Sequence, residues 1–297
     1  MSVVDQLLSP VSFFYKPPTS VSEDVRAVDI RQLRRNVGLI GMFLPFSLPL
    51  VLFLTNALVR LSGDEAVYSS VWLGSMSAYY YTVANTVFTG GLLIVGVYLF
   101  SYRGFDDNDQ KAGNLAWLTA WMVALLPMNP PSGEDIEAVR NFTAFFTWST
   151  LTGIIQYGHF AGAIGLFLTL RWFCLYSFTK TGGEPPSAKK LERNAVYRIC
   201  GRYIGITLVL VVLTEGGAHL LQDTWPAFGE FLTRYNSLFW FEAIMVVSFG
   251  VAWFIKGEGV SICNLNDEGK QRPWVHGLES GMVFWRKAGP RAPAPAE

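Results

Sequence analysis

The sequence predicts an all-α polytopic membrane protein, a bundle of six transmembrane helices with both termini on the cytoplasmic side. Hydrophobic residues make up 51% of the 297-residue chain and charged residues only 15%, against about 25% charged in an average soluble domain. Six segments are long and apolar enough to cross the roughly 30 Å hydrocarbon core as helices. Basic residues concentrate in alternate loops, as they do on the cytoplasmic side of membrane proteins.

The six predicted spans follow one another with short connections, and each is placed by its apolar run. The third ends beside Pro127, so its outer boundary stays open, and the fourth is extended or preceded by an aromatic-rich turn over residues 143–150. The predicted spans are residues 37–58, 78–101, 112–128, 151–178, 199–221 and 235–255.

The loops differ sharply in their basic residues, and this difference sets the orientation. With the N-terminus inside, the predicted outer loops contain only Arg60, Arg140 and Arg234. Every other Lys and Arg except Arg171 and Arg202 falls in a predicted cytoplasmic segment, where such residues are retained, and Arg202 lies in the first turn of the fifth span at its cytoplasmic end. Arg171 lies near the cytoplasmic end of the fourth span, so its side chain can reach the interface.

The predicted spans divide the chain into three parts. These are a cytoplasmic or interfacial segment at 1–36, the transmembrane domain at 37–256 and a cytoplasmic tail at 257–297. The 23 basic and 23 acidic residues balance, so nothing favours a nucleic-acid partner. The expected partners are the lipid bilayer, a lipid substrate and other membrane subunits. The expected location is the bacterial cytoplasmic membrane.

Four ionisable side chains interrupt the later spans at one depth. His159 lies early in the fourth span, Glu215 and His219 late in the fifth, and Glu242 early in the sixth, so all four fall in the outer half of the membrane. An ionisable group in hydrocarbon costs at least about 2.5 kcal/mol, so it usually lines a cavity or pairs inside the bundle. The shared depth predicts one outward-facing polar site. Simple hydrogen bonding between helices is the alternative for each residue.

Hydroxyl and amide side chains stand at the same outer level. Ser77, Tyr79, Tyr81 and Asn85 lie at the start of the second span, and Gln156 lies in the fourth. Such groups can orient a substrate or a bound water. We predict a catalytic role for Ser77 and substrate-orienting roles for the other four.

Two chemistries fit these residue types. In the first, His159, His219 and Glu215 hold Zn²⁺, and the remaining carboxylate acts on a metal-bound water whose pKa falls to about 7. This site would hydrolyse a lipid amide or ester, with Glu215, Glu242 and Ser77 as its catalytic residues. In the second, the same groups relay protons or cations in a transporter. Haem held by two histidines is less favoured as a cofactor, and a structural or accessory subunit of a larger membrane complex is the third functional class.

Three segments carry a resemblance. The sequences SAYYYT at 77–82, YRGFD at 102–106 and FWFE at 239–242 resemble a family of largely uncharacterised bacterial multi-spanning membrane proteins, which implies an architecture of this kind. The chain is more distantly similar to the superfamily that includes alkaline ceramidases and progestin/adiponectin-type receptors. That similarity implies a Ser and His site around zinc, with Ser77, His159 and His219 in comparable roles. The sequence departs from it in having Glu215 where a second paired His would stand, and six predicted spans rather than seven.

Two local predictions concern the loops. Gly104 is expected to end the second helix, and Asp106, Asp107 or Asp109 to cap the third, because short carboxylates satisfy the free N–H groups at a helix start. The outer loop at 61–76 and the aromatic loop after the fifth span are expected to lie on the membrane surface and cover a cavity mouth.

Overall fold

The computed structural model describes residues 30–102, 104, 106–126, 128, 152–181, 186 and 188–257. Within these residues the chain is all-helical, as predicted, and contains no strand. A 3-10 helix, Ser77–Tyr81, precedes α2, and a π-helical turn, Phe173–Ser177, continues α4. The α-helices are α1 (Ile30–Leu61), α2 (Asn85–Phe100), α3 (Asp107–Leu125), α4 (Thr152–Trp172), α5 (Ala188–Leu220), α6 (Pro226–Arg234) and α7 (Ser237–Lys256).

Four of these helices are long and apolar enough to cross a membrane. They are α1, α5, α7 and the helix formed by α4 with its π-helical turn, while α2 is a shorter apolar helix. Large apolar side chains also face outward from them. On α1, Phe43 and Phe53 are each 58% exposed and Leu58 is 67% exposed. An outer surface of this kind is covered by lipid in a membrane protein.

The six longer helices form a closed ring in chain order. Each packs antiparallel against its neighbours, and α7 closes the ring by packing against α1. One end of the bundle therefore contains the starts of α1, α3 and α5 and the ends of α2, α4 and α7. We call it the basic end, because it carries Arg34, Lys180, Lys190 and Lys256. We call the opposite end the site end.

Glycines set the closest helix approaches. A Cβ atom on Gly38 of α1 would lie 2.5 Å from the backbone nitrogen of Phe254, and one on Gly250 of α7 would lie 2.6 Å from that of Met42. Both distances are shorter than any ordinary van der Waals contact, so only glycine allows α1 and α7 to pack this closely. Small residues serve the same purpose at helix interfaces in membranes generally.

Several helix boundaries differ from the predicted spans. The predicted second span is broken, because the 3-10 helix ends at Tyr81 and α2 begins only at Asn85. Helix α5 begins at Ala188, three turns before the predicted start at residue 199, and this added part packs into the bundle, since Glu192 and Asn194 are buried although their side chains are polar. Helix α1 begins at Ile30, so the predicted N-terminal segment at 1–36 overlaps it. Residues 1–29, 258–297 and 143–150 lie outside the described part of the chain.

The prediction of a cap before the third helix is confirmed, with Asp106 as the capping residue. Its carboxylate accepts hydrogen bonds from the backbone N–H groups of Asn108 and Asp109, both at 3.1 Å. Lys180 joins this cap to the end of α4: its ammonium lies 2.8 Å from Asp106 and 2.7 Å from the fully buried Asp109. The hydrogen bond from Lys180 is the main reason that the pKa of Asp106 lies below its ordinary value.

Replacing Lys180 with methionine should destabilise the basic end. Loss of the contact with buried Asp109 is expected to lower the free energy of unfolding by about 2 kcal/mol, a usual value for a hydrogen bond to a charged group. The part of the loss that comes from Asp106 should shrink as the pH falls below about 4, because the pKa of this carboxyl is lowered by Lys180 and the carboxyl stabilises the fold only while it is ionised. Lys111→Met, which removes an exposed lysine from α3, is the control. Equal unfolding midpoints for the two variants would contradict this role of Lys180.

Candidate functional site

The loop between α1 and the 3-10 helix is fixed against the bundle by local hydrogen bonds. Asn56 of α1 bonds the backbone of Tyr68 twice, donating to its carbonyl at 2.8 Å and accepting from its N–H at 2.9 Å. The fully buried Tyr79 donates its hydroxyl to the carbonyl of Val71 at 2.7 Å and accepts from the N–H of Leu73 at 3.3 Å. These bonds hold the segment that leads into Ser77.

The first turns of α7 hold the same segment from the other side. The backbone N–H of Phe239, one of the groups left without a partner at a helix start, donates to the carbonyl of Gly74 at 2.9 Å. One turn later the carboxylate of Glu242 accepts from the backbone N–H of Met76 at 2.6 Å. Glu242 therefore fixes the backbone one residue before Ser77.

The end of α3 supplies a free carbonyl beside the site. Leu126 precedes Pro127 in the sequence, and a proline disfavours the helical conformation of the residue before it. Leu126 accordingly has an extended backbone, with φ −102° and ψ 101°, and caps the helix. Its carbonyl accepts a hydrogen bond from Nδ1 of His159 at 2.6 Å.

His159 is held in one tautomer by this contact. A carbonyl oxygen can only accept, so Nδ1 carries the proton, and in the neutral ring Nε2 then has a free lone pair. Nε2 lies 2.9 Å from Oγ of Ser77, so the serine hydroxyl donates to it. Both side chains are buried, at 3% exposed for His159 and 5% for Ser77. A serine hydroxyl bonded to an oriented, unprotonated imidazole nitrogen is the arrangement that activates serine as a nucleophile.

Ser77 and His159 line a cavity of about 430 Å³ between α4, α5 and α7. Glu215 of α5 and Glu242 of α7 line the same cavity, so three of the four ionisable residues predicted to share a site line one cavity. The volume is in the range of small-molecule sites, most of which are apolar with a few convergent polar groups.

The cavity is polar towards the site end and apolar towards the middle of the bundle. It extends along α4 from His159 to Phe167, which at 1.5 Å per residue is about 12 Å. Ile164 of α4 and Val212 of α5 line it and are 45% and 56% exposed. Buried side chains therefore do not close the side of the cavity between α4 and α5.

A second cavity of about 420 Å³ adjoins the first at the site end. Ser75, Met128, Glu215 and Leu238 line both. The rest of its wall includes Leu232 and other residues of the short helix α6. The loop after the fifth span was predicted to cover a cavity mouth, and α6 occupies that position.

The remaining predicted site residues lie elsewhere. His219 is exposed in the last turn of α5 and lines neither cavity. Tyr79 bonds within the loop, Tyr81 donates its hydroxyl to the carbonyl of Met128, and Asn85 donates to the carbonyl of Tyr80. None of these three lines the cavity that contains Ser77. The side chain of Gln156 lies outside the described part of the chain.

The zinc prediction requires His159, His219 and Glu215 to meet. Within the described residues, no group of three or more His, Cys, Asp or Glu side chains gathers as metal ligands would. Both ring nitrogens of His159 have hydrogen-bond partners, the carbonyl of Leu126 and the hydroxyl of Ser77. The zinc site stays a prediction that elemental analysis can test.

Two parts of the site are backbone groups that sequence reasoning did not identify. These are the carbonyl of Leu126, which orients His159, and the N–H of Met76, which bonds Glu242. Pro127 was the available signal for the first, since it ends a helix and frees a carbonyl. No sequence pattern pointed to the second.

Comparison of the chain with models of protein families, with curated proteins and with solved structures finds no match.

Proposed function

We propose that this integral membrane protein is a lipid-directed hydrolase that cleaves an ester or amide bond of an amphiphile, with Ser77 as nucleophile and His159 as base. The observation that supports this most strongly is the hydrogen-bonded series from the Leu126 carbonyl through His159 to Ser77, inside a cavity. A nucleophile, its base and a group that orients the base are the parts that recur in hydrolases of this type.

The proposed reaction has two steps. Oγ of Ser77 attacks the acyl carbon of the substrate while its proton passes to Nε2 of His159, which then protonates the leaving alcohol or amine as the bond breaks. In the second step His159 takes a proton from water, the hydroxide attacks the acyl-serine ester, and the proton returns to Oγ as the fatty acid leaves.

The two carboxylates have different places in this scheme. Glu242 is a positioning residue, because it holds the backbone of Met76 beside Ser77. Glu215 lies where the two cavities meet, so it faces the polar part of a substrate whose acyl chain enters the apolar part of the first cavity. We propose that such a substrate enters from the bilayer between α4 and α5, where Ile164 and Val212 are both cavity-lining and exposed.

The membrane topology is part of the same proposal. We propose six spans with both termini in the cytoplasm, which would place Ser77 at the outer leaflet. The alternating directions of the six longer helices support this number, since α2 and α3 belong to the same ring as the four longer apolar helices. The basic residues in the predicted inner loops support the direction.

A proton- or cation-coupled transporter is the second candidate, favoured by one observation. Glu215, Glu242 and His159 line cavities that continue from α6 towards the middle of the bundle, as a relay would require. Proton uptake into liposomes that disappears in Glu215→Gln, without any acyl hydrolysis, would favour it. An accessory subunit would instead co-purify with partners and lose no activity when these residues change.

Filling the apolar part of the cavity tests the lipid-directed proposal. Ala163→Phe adds a ring to the wall between α4 and α5, and we expect it to slow hydrolysis of a C16 p-nitrophenyl ester by at least about tenfold, equivalent to about 1.4 kcal/mol of lost binding. Hydrolysis of the C4 ester should change by less than about twofold, because Ser77 and His159 are untouched.

The control for this experiment is Ala161→Phe, which adds the same ring to an exposed position of α4 outside the cavity. It should match the wild type on both esters. Equal slowing of the C4 and C16 esters by Ala163→Phe would contradict acyl-chain binding in this cavity. Absence of hydrolysis of either ester by the wild-type protein in nanodiscs would contradict the hydrolase itself.

A further inference from the structure

A groove on the outer surface between α4 and α5 combines two arginines with lipid-facing apolar side chains. It has a volume of about 520 Å³ and lies nearer the basic end than the cavity of Ser77. Arg171 comes from the last turn of α4 and Arg202 from α5. The rest of its wall is Leu168, Gly205, Ile206, Leu208, Val209 and Leu210.

The two arginines are brought to one groove by helix spacing and by a glycine. Arg202, Gly205, Ile206 and Val209 share one face of α5, because residues three and four apart are neighbours on a helix. Gly205 permits the close approach of Arg171: a Cβ atom there would lie 2.5 Å from Nε of that side chain. Nε of Arg171 is buried and has no hydrogen-bond partner among the described residues.

The charge and surface of the groove fit one kind of occupant. No carboxylate is among the described residues that line it, so two guanidinium groups stand without an acidic side chain in the groove wall. Guanidinium is well matched to phosphate oxygens. Leu168, Ile206 and Val209 are 49%, 60% and 57% exposed beside them, which gives acyl chains an apolar surface to lie against.

We propose that this groove binds an anionic phospholipid, with the headgroup phosphate between Arg171 and Arg202 and an acyl chain along α5 towards the middle of the bundle. Basic pockets between transmembrane helices bind anionic headgroups in this way. The site is separate from the cavity of Ser77, and the proposal does not depend on hydrolysis.

Native mass spectrometry of the full-length protein in detergent tests this proposal. Titration with dioleoyl phosphatidylglycerol and dioleoyl phosphatidylcholine compares two lipids with the same chains and different charge. We expect the first phosphatidylglycerol to bind at least about tenfold more tightly than the first phosphatidylcholine, since each basic residue near a membrane contributes about fivefold. The double variant with Arg171→Gln and Arg202→Gln should lose this preference. The double variant with Arg171→Lys and Arg202→Lys should keep part of it.

The control is Arg60→Gln, which removes one arginine from the exposed last turn of α1 at the site end and should leave the preference unchanged. Arg202→Gln alone changes an exposed side chain, so it tests the site even if the double variant folds poorly. Equal binding of the two lipids by the wild type, or an unchanged preference in Arg202→Gln, would overturn the proposal. Full displacement of the lipid by millimolar inorganic phosphate would also overturn it, because the groove would then be a site for free phosphate.

Discussion

Ser77→Ala is expected to reduce hydrolysis of a long-chain p-nitrophenyl ester by at least about 10³-fold, because removal of a nucleophile that works with its base costs this much or more in serine hydrolases. His159→Gln should cause a loss of similar size, and the two losses should not add, since the residues act as a unit. The measurement is the steady-state rate of the full-length protein in nanodiscs. Folding of each variant is checked by its thermal unfolding midpoint.

Ser75 offers a matched control for this experiment. It lines the same cavity two residues away, but its hydroxyl accepts from the backbone N–H of Ala78 at 3.1 Å and lies 3.6 Å from the sulfur of Met128. We expect Ser75→Ala to keep at least about a tenth of the rate, because the ring nitrogens of His159 bond the Leu126 carbonyl and Ser77 rather than Ser75, and loss of one hydrogen bond costs only about 1 kcal/mol of stability. If Ser75→Ala and Ser77→Ala lost activity equally, or if neither lost it, the assignment of Ser77 as nucleophile would be wrong.

The largest expected effect on stability comes from Gly250 of α7. A Cβ atom on this residue would lie 2.6 Å from the backbone nitrogen of Met42 and 2.8 Å from the carbonyl oxygen of Gly38. Both are backbone atoms of α1, so the two helices must separate to admit a methyl group. Gly250→Ala should therefore lower the free energy of unfolding by about 2 to 3 kcal/mol, the upper part of the range of about 1 to 3 kcal/mol found for overpacked cores.

Gly90 of α2 provides the opposite case. Nothing lies within 4 Å of a Cβ atom placed there, and alanine is preferred to glycine in a helix by up to about 1 kcal/mol. Gly90→Ala should leave the unfolding midpoint unchanged or raise it, as measured by thermal unfolding or by titration with a denaturing detergent. The close packing of α1 on α7 would be contradicted if Gly250→Ala were as stable as Gly90→Ala.

The sequence allowed the membrane class and most helices to be predicted, because each apolar run of 20 or so residues has few other stable structures in lipid. It did not allow the break between Tyr81 and Asn85 to be predicted. That break depends on hydrogen bonds between side chains and backbone, such as those from Thr82 to the Tyr79 carbonyl at 2.8 Å and from Asn85 to the Tyr80 carbonyl. Apolarity along the chain contains no information about these bonds.

The candidate site was predicted only in part, because the sequence indicates depth along each helix but not how the helices pack. Depth can be counted along a predicted helix, and it correctly grouped His159, Glu215 and Glu242 in one cavity. His219 shares the depth range and the i, i+4 face of Glu215, but it lies about 6 Å further along α5, in the last turn, and lines neither cavity. Rotation of each helix and the end of the cavity depend on packing between helices. The pairing of His159 with Ser77 also depends on that packing.

Zinc can be tested apart from the serine mechanism. Elemental analysis of gently purified protein, with and without dialysis against a chelator, gives the metal content for comparison with the rate of ester hydrolysis. Stoichiometric zinc that is lost together with activity would support the predicted ligands His159, His219 and Glu215. A chelated protein that keeps its full rate would contradict a zinc-dependent reaction.

The most direct test of the proposed function is covalent labelling of Ser77. A long-chain alkyl fluorophosphonate, which reacts with activated serines, is incubated with the wild-type protein in nanodiscs, and the modified residue is identified by peptide mass spectrometry. We predict a single phosphonylated residue, Ser77, whose labelling is lost in His159→Gln and slowed in Ala163→Phe. Absence of the adduct from Ser77, or labelling of Ser77 at the same rate in His159→Gln, would contradict the proposed nucleophile and base.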